Sequence, residues 1–132
     1  MYPQTHLIIG IAFTIILFPF FGFFSLLILL SSILIDTDHY VAYMIHKKSL
    51  NLRKAFNWFS TRKWKKEINH PFVFFHFIEV LLIFFILGFR FILFFYIFLG
   101  FILHIPFDLI KEIKLNMFRL EKYSFLYYLA KA

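Results

Sequence analysis

Polar chemistry in this 132-residue chain collects at four places: His6; Asp36, Asp38 and His39; His70, His76 and Glu79; and His104 with Asp108. His104 and Asp108 are four residues apart, while His76/Glu79 and Asp36/His39 are three apart, so each pair shares one face of a helix. Such a pair offers an imidazole nitrogen and a carboxylate oxygen to one ion, or lets the acid orient the imidazole. Gathered carboxylates repel one another unless protons or a cation compensate. A divalent ion does this, and two do it better, because the inventory exceeds four ligands. The chain has no cysteine, which excludes disulfides and thiolate sites. Donors drawn from His, Asp and Glu suit Zn²⁺, Mn²⁺ or Fe²⁺.

The elements that must position these groups are written in the composition. The chain is 62% hydrophobic, 24% aromatic and 16% charged, with 23 phenylalanines and a mean hydropathy of +0.82. A soluble domain of this length cannot hide so much apolar surface, so the expected solvent is a bilayer. No charged side chain occurs from Met1 to Ile35. A signal peptide is a poor reading of that run, which is too long and lacks a basic start. The Pro19 to Gly22 break predicts two helices, about 5–18 and 23–44, in place of one long kinked helix, with Thr5 as the N-cap. A second apolar block, opened by Pro71 and interrupted at Gly88 to Arg90, predicts helices at about 71–87 and 91–113, the last kinked at Pro106.

The expectation is thus one all-α, polytopic membrane domain of about four membrane helices. It comprises a hairpin over 5–44, a basic cytoplasmic loop over 45–69, a hairpin over 70–113 and an amphipathic tail over 114–132 lying on the membrane surface. Between Lys47 and Lys66 stand eight basic residues and no acid, with Leu52, Phe56 and Phe59 at helical spacing and Trp58 and Trp64 beside them. That pattern suits a topogenic loop, or a helix in the headgroup layer against anionic lipid. It carries no nucleic-acid motif, so no nucleic-acid partner is expected. His46 within it reads as an ordinary surface residue. Of the 14 lysines and arginines, Arg90 alone falls outside the loop and the stretch from Lys111 onward. The positive-inside rule therefore puts loop and tail in the cytoplasm, with both hairpin tips pointing away.

Counting back from the tips, His6, Asp36, His76 and His104 each lie about 13 to 15 residues away. At 1.5 Å per residue all four stand about 20 Å from the tips, at one level near the cytoplasmic mouth.

These residues also look familiar. Thr5-His6 with Gly10, Leu34-Ile35-Asp36-Thr37-Asp38-His39, Phe75-His76-Phe77-Ile78-Glu79 and Leu103-His104-Ile105-Pro106-Phe107-Asp108 resemble, in order and approximate spacing, the family of LexA-regulated, inner-membrane-associated metal-dependent hydrolases. That family is similar in ligand pattern to zinc-dependent phospholipase C and P1 nuclease. The resemblance implies His6, Asp36, Asp38, His39, His76, Glu79, His104 and Asp108 as site residues. Ile35 stands where the family often has proline, and His70-Pro71-Phe72 lacks the arginine of a motif near the third cluster.

Together these readings point to a membrane-bound, metal-dependent hydrolase of phosphoesters or phospholipid headgroups. One or two ions, zinc foremost, would be held by His6, Asp36, His39, His76, His104 and Asp108, with Asp38 or Glu79 as general base. Two alternatives use the same residues. In one, a non-enzymatic membrane protein binds or transports metal ions or protons; in the other, the polar layer serves only helix packing.

Overall fold

The computed structural model describes residues 3–61, 64–67, 72–116 and 118–131. His70 and Pro71, singled out above, lie outside the described residues, as do Arg62 and Lys63 of the basic loop. The described chain is helical with no strand.

Helix α1 (Pro3–Phe21) begins at proline rather than being capped by Thr5, because a proline at the first turn gives up only an N–H that has no helical partner. It runs through Pro19 to a short 3-10 turn at Gly22–Phe24. Gly22 has φ +53°, a torsion that costs a glycine little, and there the chain reverses. Helix α2 (Ser25–Leu34) returns along α1, bringing Leu29 and Ser32 against Gly10. The first apolar run is therefore a hairpin, as expected.

The expected helix over 23–44 is broken at Ile35-Asp36, and α3 (Thr37–Lys47) starts afresh there. Ile35 is fully buried at this joint, packed with Leu81 and Phe101, so the chain turns about an apolar anchor. Lys48 in the left-handed region ends α3. In α4 (Leu52–Ser60) the Asn51 Oδ1 accepts the Lys54 N–H at 2.9 Å, a capping bond. Ala55 and Trp58 of α4 bury against Tyr43 and against Trp64 of α5 (Trp64–Glu67).

The expected helix over 71–87 is shorter than its sequence suggests. Residues 74–76 form a 3-10 turn and α6 spans only Ile78–Gly88. The Phe75 N–H is taken by the Asp38 carboxylate at 3.1 Å, so a tertiary bond competes with helical pairing at this point. Helix α7 (Ile92–Lys114) matches its expected bounds and is continuous through Pro106.

Helix α7 is central. It packs antiparallel to α6, with Phe84 against Phe101 and Gly88 against Phe95. It runs parallel to α2, with Tyr96 stacked on Phe24 and Gly100 against Ser31. A Cβ at Gly100 would collide with Ser31 Oγ and lie 2.5 Å from the Ile28 carbonyl, so only glycine allows this approach. Both hairpin tips therefore lie at one end of the bundle.

The tail does not lie free. After a 3-10 turn at Leu120–Lys122, α8 (Phe125–Lys131) packs on the entry to α6 through Phe77, Phe125 and Tyr128. The Ile78 N–H donates to the Tyr123 carbonyl at 2.9 Å.

Two helical stretches, Thr5–Lys47 and Ile92–Lys114, are long and apolar enough to cross a membrane. Only 17% and 28% of their most apolar windows are buried, whereas the core helix of a soluble protein is mostly buried. Ile8, Ile15, Phe20 and Phe23 face outward.

Candidate metal centre

The end of the bundle away from the tips carries the His/Asp residues. Helix α7 supplies His104 and Asp108, one turn apart and both buried. The His104 Nδ1–H donates to the Ser32 carbonyl at 2.6 Å. That bond fixes the tautomer and leaves Nε2 as an acceptor directed inward, 3.5 Å from Asp36 Oδ1 and 3.7 Å from Asp108 Oδ2.

The 74–76 turn supplies His76. Its Nδ1 donates to Asp38 Oδ2 at 3.0 Å, and its Nε2 lies 3.8 Å from Asp108 Oδ2. This is the acid–imidazole arrangement that orients a metal-binding histidine. Asp36, at the joint before α3, is the most open member, with a side chain 23% exposed.

Asp36, His76, His104 and Asp108 each present one ligand atom, all within 4.8 Å of one another. Asp38, His39 and His76 form a second group meeting the same limit. His39 is held between the rings of Phe59 and His76, each at 4.9 Å. His6, from α1, bonds Asp108 Oδ1 through Nε2 at 3.1 Å and stacks on His104 at 3.9 Å. It belongs to neither four- nor three-atom group, and its place is beside them.

Whether these residues fit an ion is decided by their unpaired atoms. Among the described residues, Asp38 Oδ1, His39 Nδ1, His76 Nε2 and His104 Nε2 are buried without a hydrogen-bond partner. Leaving one such atom unsatisfied costs about 1–3 kcal/mol. Asp38 Oδ1 and His39 Nδ1 lie 3.5 Å from each other, while His76 Nε2 and His104 Nε2 stand beside Asp36 and Asp108, an arrangement that a divalent cation would satisfy. The cluster can hold a metal ion.

Glu79 does not join it. Its Oε1 accepts the Ser124 hydroxyl at 2.8 Å and the Leu126 N–H at 3.3 Å, and its Oε2 accepts the Phe125 N–H at 2.9 Å. Glu79, expected as a general base, has both oxygens engaged by the start of α8 and stands apart from the cluster. Asp38 stays in the centre, one oxygen on His76 and the other without a hydrogen bond, 3.5 Å from His39 Nδ1.

Three neighbours escaped the sequence reading. Glu112 continues the His104, Asp108 spacing by one more turn of α7 and is buried. It accepts from Lys122 Nζ at 2.8 Å and from the Tyr123 hydroxyl at 3.0 Å. Burial opposes the Lys122 charge, but the Glu112 and Asp108 carboxylates outweigh it and hold its pKa above the ordinary lysine value. Burial pushes the Tyr123 hydroxyl up as well, so it stays protonated. The four-residue step to Glu112 was visible in sequence; nothing there placed Lys122 against it.

Beside His6 and His104 a small apolar cleft lies between α1, α2 and α7, lined by Ile9, Phe13, Ile28 and Phe107. Comparison of the chain with known families, with curated proteins and with solved structures finds no match.

Proposed function

We propose that this chain is a multi-pass protein of the cell membrane that hydrolyses a phosphoester, a phospholipid headgroup being the favoured substrate, at a divalent metal centre on the cytoplasmic face. The observation that carries this reading is the convergence of His76 Nε2 and His104 Nε2, both buried without a hydrogen-bond partner, with the Asp36 and Asp108 carboxylates. When bound, the ion, zinc foremost, would lower the pKa of a water and stabilise charge developing on the phosphoryl oxygens. Asp36, His76, His104 and Asp108 are the holders of that ion, and Asp38 with His39 completes a second position. Asp38 keeps His76 in the ligating tautomer through Oδ2; where only the first position is filled, its Oδ1, 3.5 Å from His39 Nδ1, serves as proton acceptor. His6 fixes Asp108 from behind. The exposed Lys47, Lys48, Arg53 and Lys54 near this face favour an anionic substrate and anionic lipid.

Carriage of metal ions or protons toward the far side draws no such support. Such a path needs polar groups between centre and tips. Thr14, Ser25 and Ser31 instead donate to carbonyls of their own turns, those of Gly10, Gly22 and Leu27, at 2.7–2.8 Å.

The test is elemental analysis of detergent-purified protein, with and without His104→Ala, coupled to an assay on an activated phosphodiester and on mixed phospholipid micelles. The proposal expects metal and turnover in the wild type, both lost with His104→Ala and on chelation. Turnover that survives chelation, or a metal-replete sample inert toward every phosphoester offered, overturns it.

A further inference from the structure

Lys47, Lys48, Lys54, Lys114 and Lys131 are exposed, but Lys122 is buried at 3% exposure. Its acceptor among the described residues is Glu112 Oε1, at 2.8 Å, while Tyr123 occupies the other oxygen of the same carboxylate. His104, Asp108 and Glu112 climb α7 in steps of four, so the ammonium is held about one helical turn from Asp108. Tyr123, next in sequence, faces the ring of His76 at 6.5 Å. The cation therefore stands between the α7 ladder and the 74–76 turn, on the border of the metal centre.

A buried ion pair is a poor strut, because desolvation consumes most of its attraction, and an apolar pair would hold the tail as well. An ammonium beside a dication site also repels the ion. Both costs are recovered if an anion comes between the two charges, bonded to the ammonium and balanced by the metal.

We infer that Lys122 is the cationic wall of an anion subsite on the Asp108–His76 border of the centre, taking the oxygens of a phosphoryl group. Glu112 and Tyr123 aim the ammonium, and the tail from Leu120 onward is there to deliver it. This rests on the phosphoester reading of the same centre. The phosphoryl group belongs to a lipid headgroup or to free phosphate.

The experiment uses the full chain in detergent, incubated with zinc, in four forms: wild type, Lys122→Gln, Lys122→Arg, and Lys122→Gln combined with Glu112→Gln. The double variant keeps a hydrogen-bonded neutral pair in case the single one does not fold. Calorimetry measures binding of inorganic phosphate and of phosphatidic acid in mixed micelles; chelator competition measures metal affinity. Expected is a loss of roughly tenfold or more in phosphate affinity in the charge-removing variants, with metal held at least as tightly, and recovery with Lys122→Arg. Tighter binding of phosphatidic acid than of phosphate assigns the lipid as source, and equal binding assigns the free ion. Phosphate affinity unchanged without the charge overturns the inference. So does joint loss of metal and phosphate in a double variant of wild-type helicity, which would make Lys122 a strut. If the wild type takes no metal, the hydrolase reading fails on its own. The subsite is then judged on the metal-free chain: phosphate binding that needs Lys122 supports it, and binding that does not, or none, overturns it.

Discussion

His104 gives the sharpest expectation at the scale of single residues. Replacing it with alanine removes one of the proposed ligands and leaves the Ser32 carbonyl without its 2.6 Å partner. Metal content should fall to background, and the melting free energy should drop by about 1–3 kcal/mol even in metal-free samples. Asp38→Asn tests the orienting acid. Asparagine retains the size but can hold His76 in the wrong tautomer. Metal affinity measured by chelator competition should fall about 10–100-fold while the fold is retained. At this scale the sequence was legible wherever chemistry repeats at helical spacing. His104/Asp108 and Asp36/His39 were visible as pairs because three- and four-residue steps share a face. Glu79 looked equivalent to them by spacing, yet its partners are Ser124, Phe125 and Leu126, more than forty positions onward. Lys122 was hidden for the same reason, since its acceptor is set by how the tail folds back.

Packing between α2 and α7 is the point on which the elements depend. Gly100→Ala places a methyl against the Ile28 carbonyl and Ser31. Overpacking of this kind costs about 1–3 kcal/mol. Because Ser32 and His104 bridge the same pair of helices, metal affinity should fall together with thermal stability; unchanged metal binding would separate the two. The clasp of α3, α4 and α5 makes a pH prediction. The Glu67 carboxylate accepts from Lys47 Nζ at 2.8 Å and Trp58 Nε1 at 2.6 Å, and these bonds lower its pKa below the ordinary 4.5. An acid whose folded pKa is depressed contributes stability above its unfolded pKa and loses it as pH falls through the folded value. Trp58 fluorescence should thus be constant above about pH 5 and change below pH 4, and Glu67→Gln should abolish that transition. The run over 91–113 announced its helix by its apolar length and by the break at Gly88 to Arg90. The breaks at Ile35-Asp36 and before Ile78 were not legible, since they come from burial of Ile35 and from the Asp38 bond to Phe75, both long-range effects.

For the whole molecule, the membrane arrangement is a proposal with a direct test. The chain has no native cysteine, so single thiols report position without background. With multi-pass topology and a cytoplasmic basic loop, Phe89→Cys at the second tip should react with an impermeant thiol reagent added outside intact cells. Ser49→Cys, after α3, should react only once the membrane is opened. Reaction of both from the same side would exclude the arrangement. That the chain would be apolar, helical and folded into hairpins was readable from composition, from Pro19 to Gly22 and from Gly88 to Arg90. Which helices are long enough to span was not, because α6 lost its first turns to the site.

Helices α1 to α3 bring only His6, Asp36, Asp38 and His39, while His76, His104 and Asp108 come from the later half. Neither half supplies all four members of the larger ligand group. If the proposed centre takes an ion, its four-ligand set would be complete only once both halves had come together, and the ion would then rivet them: a late checkpoint in biogenesis that rewards the correctly paired bundle.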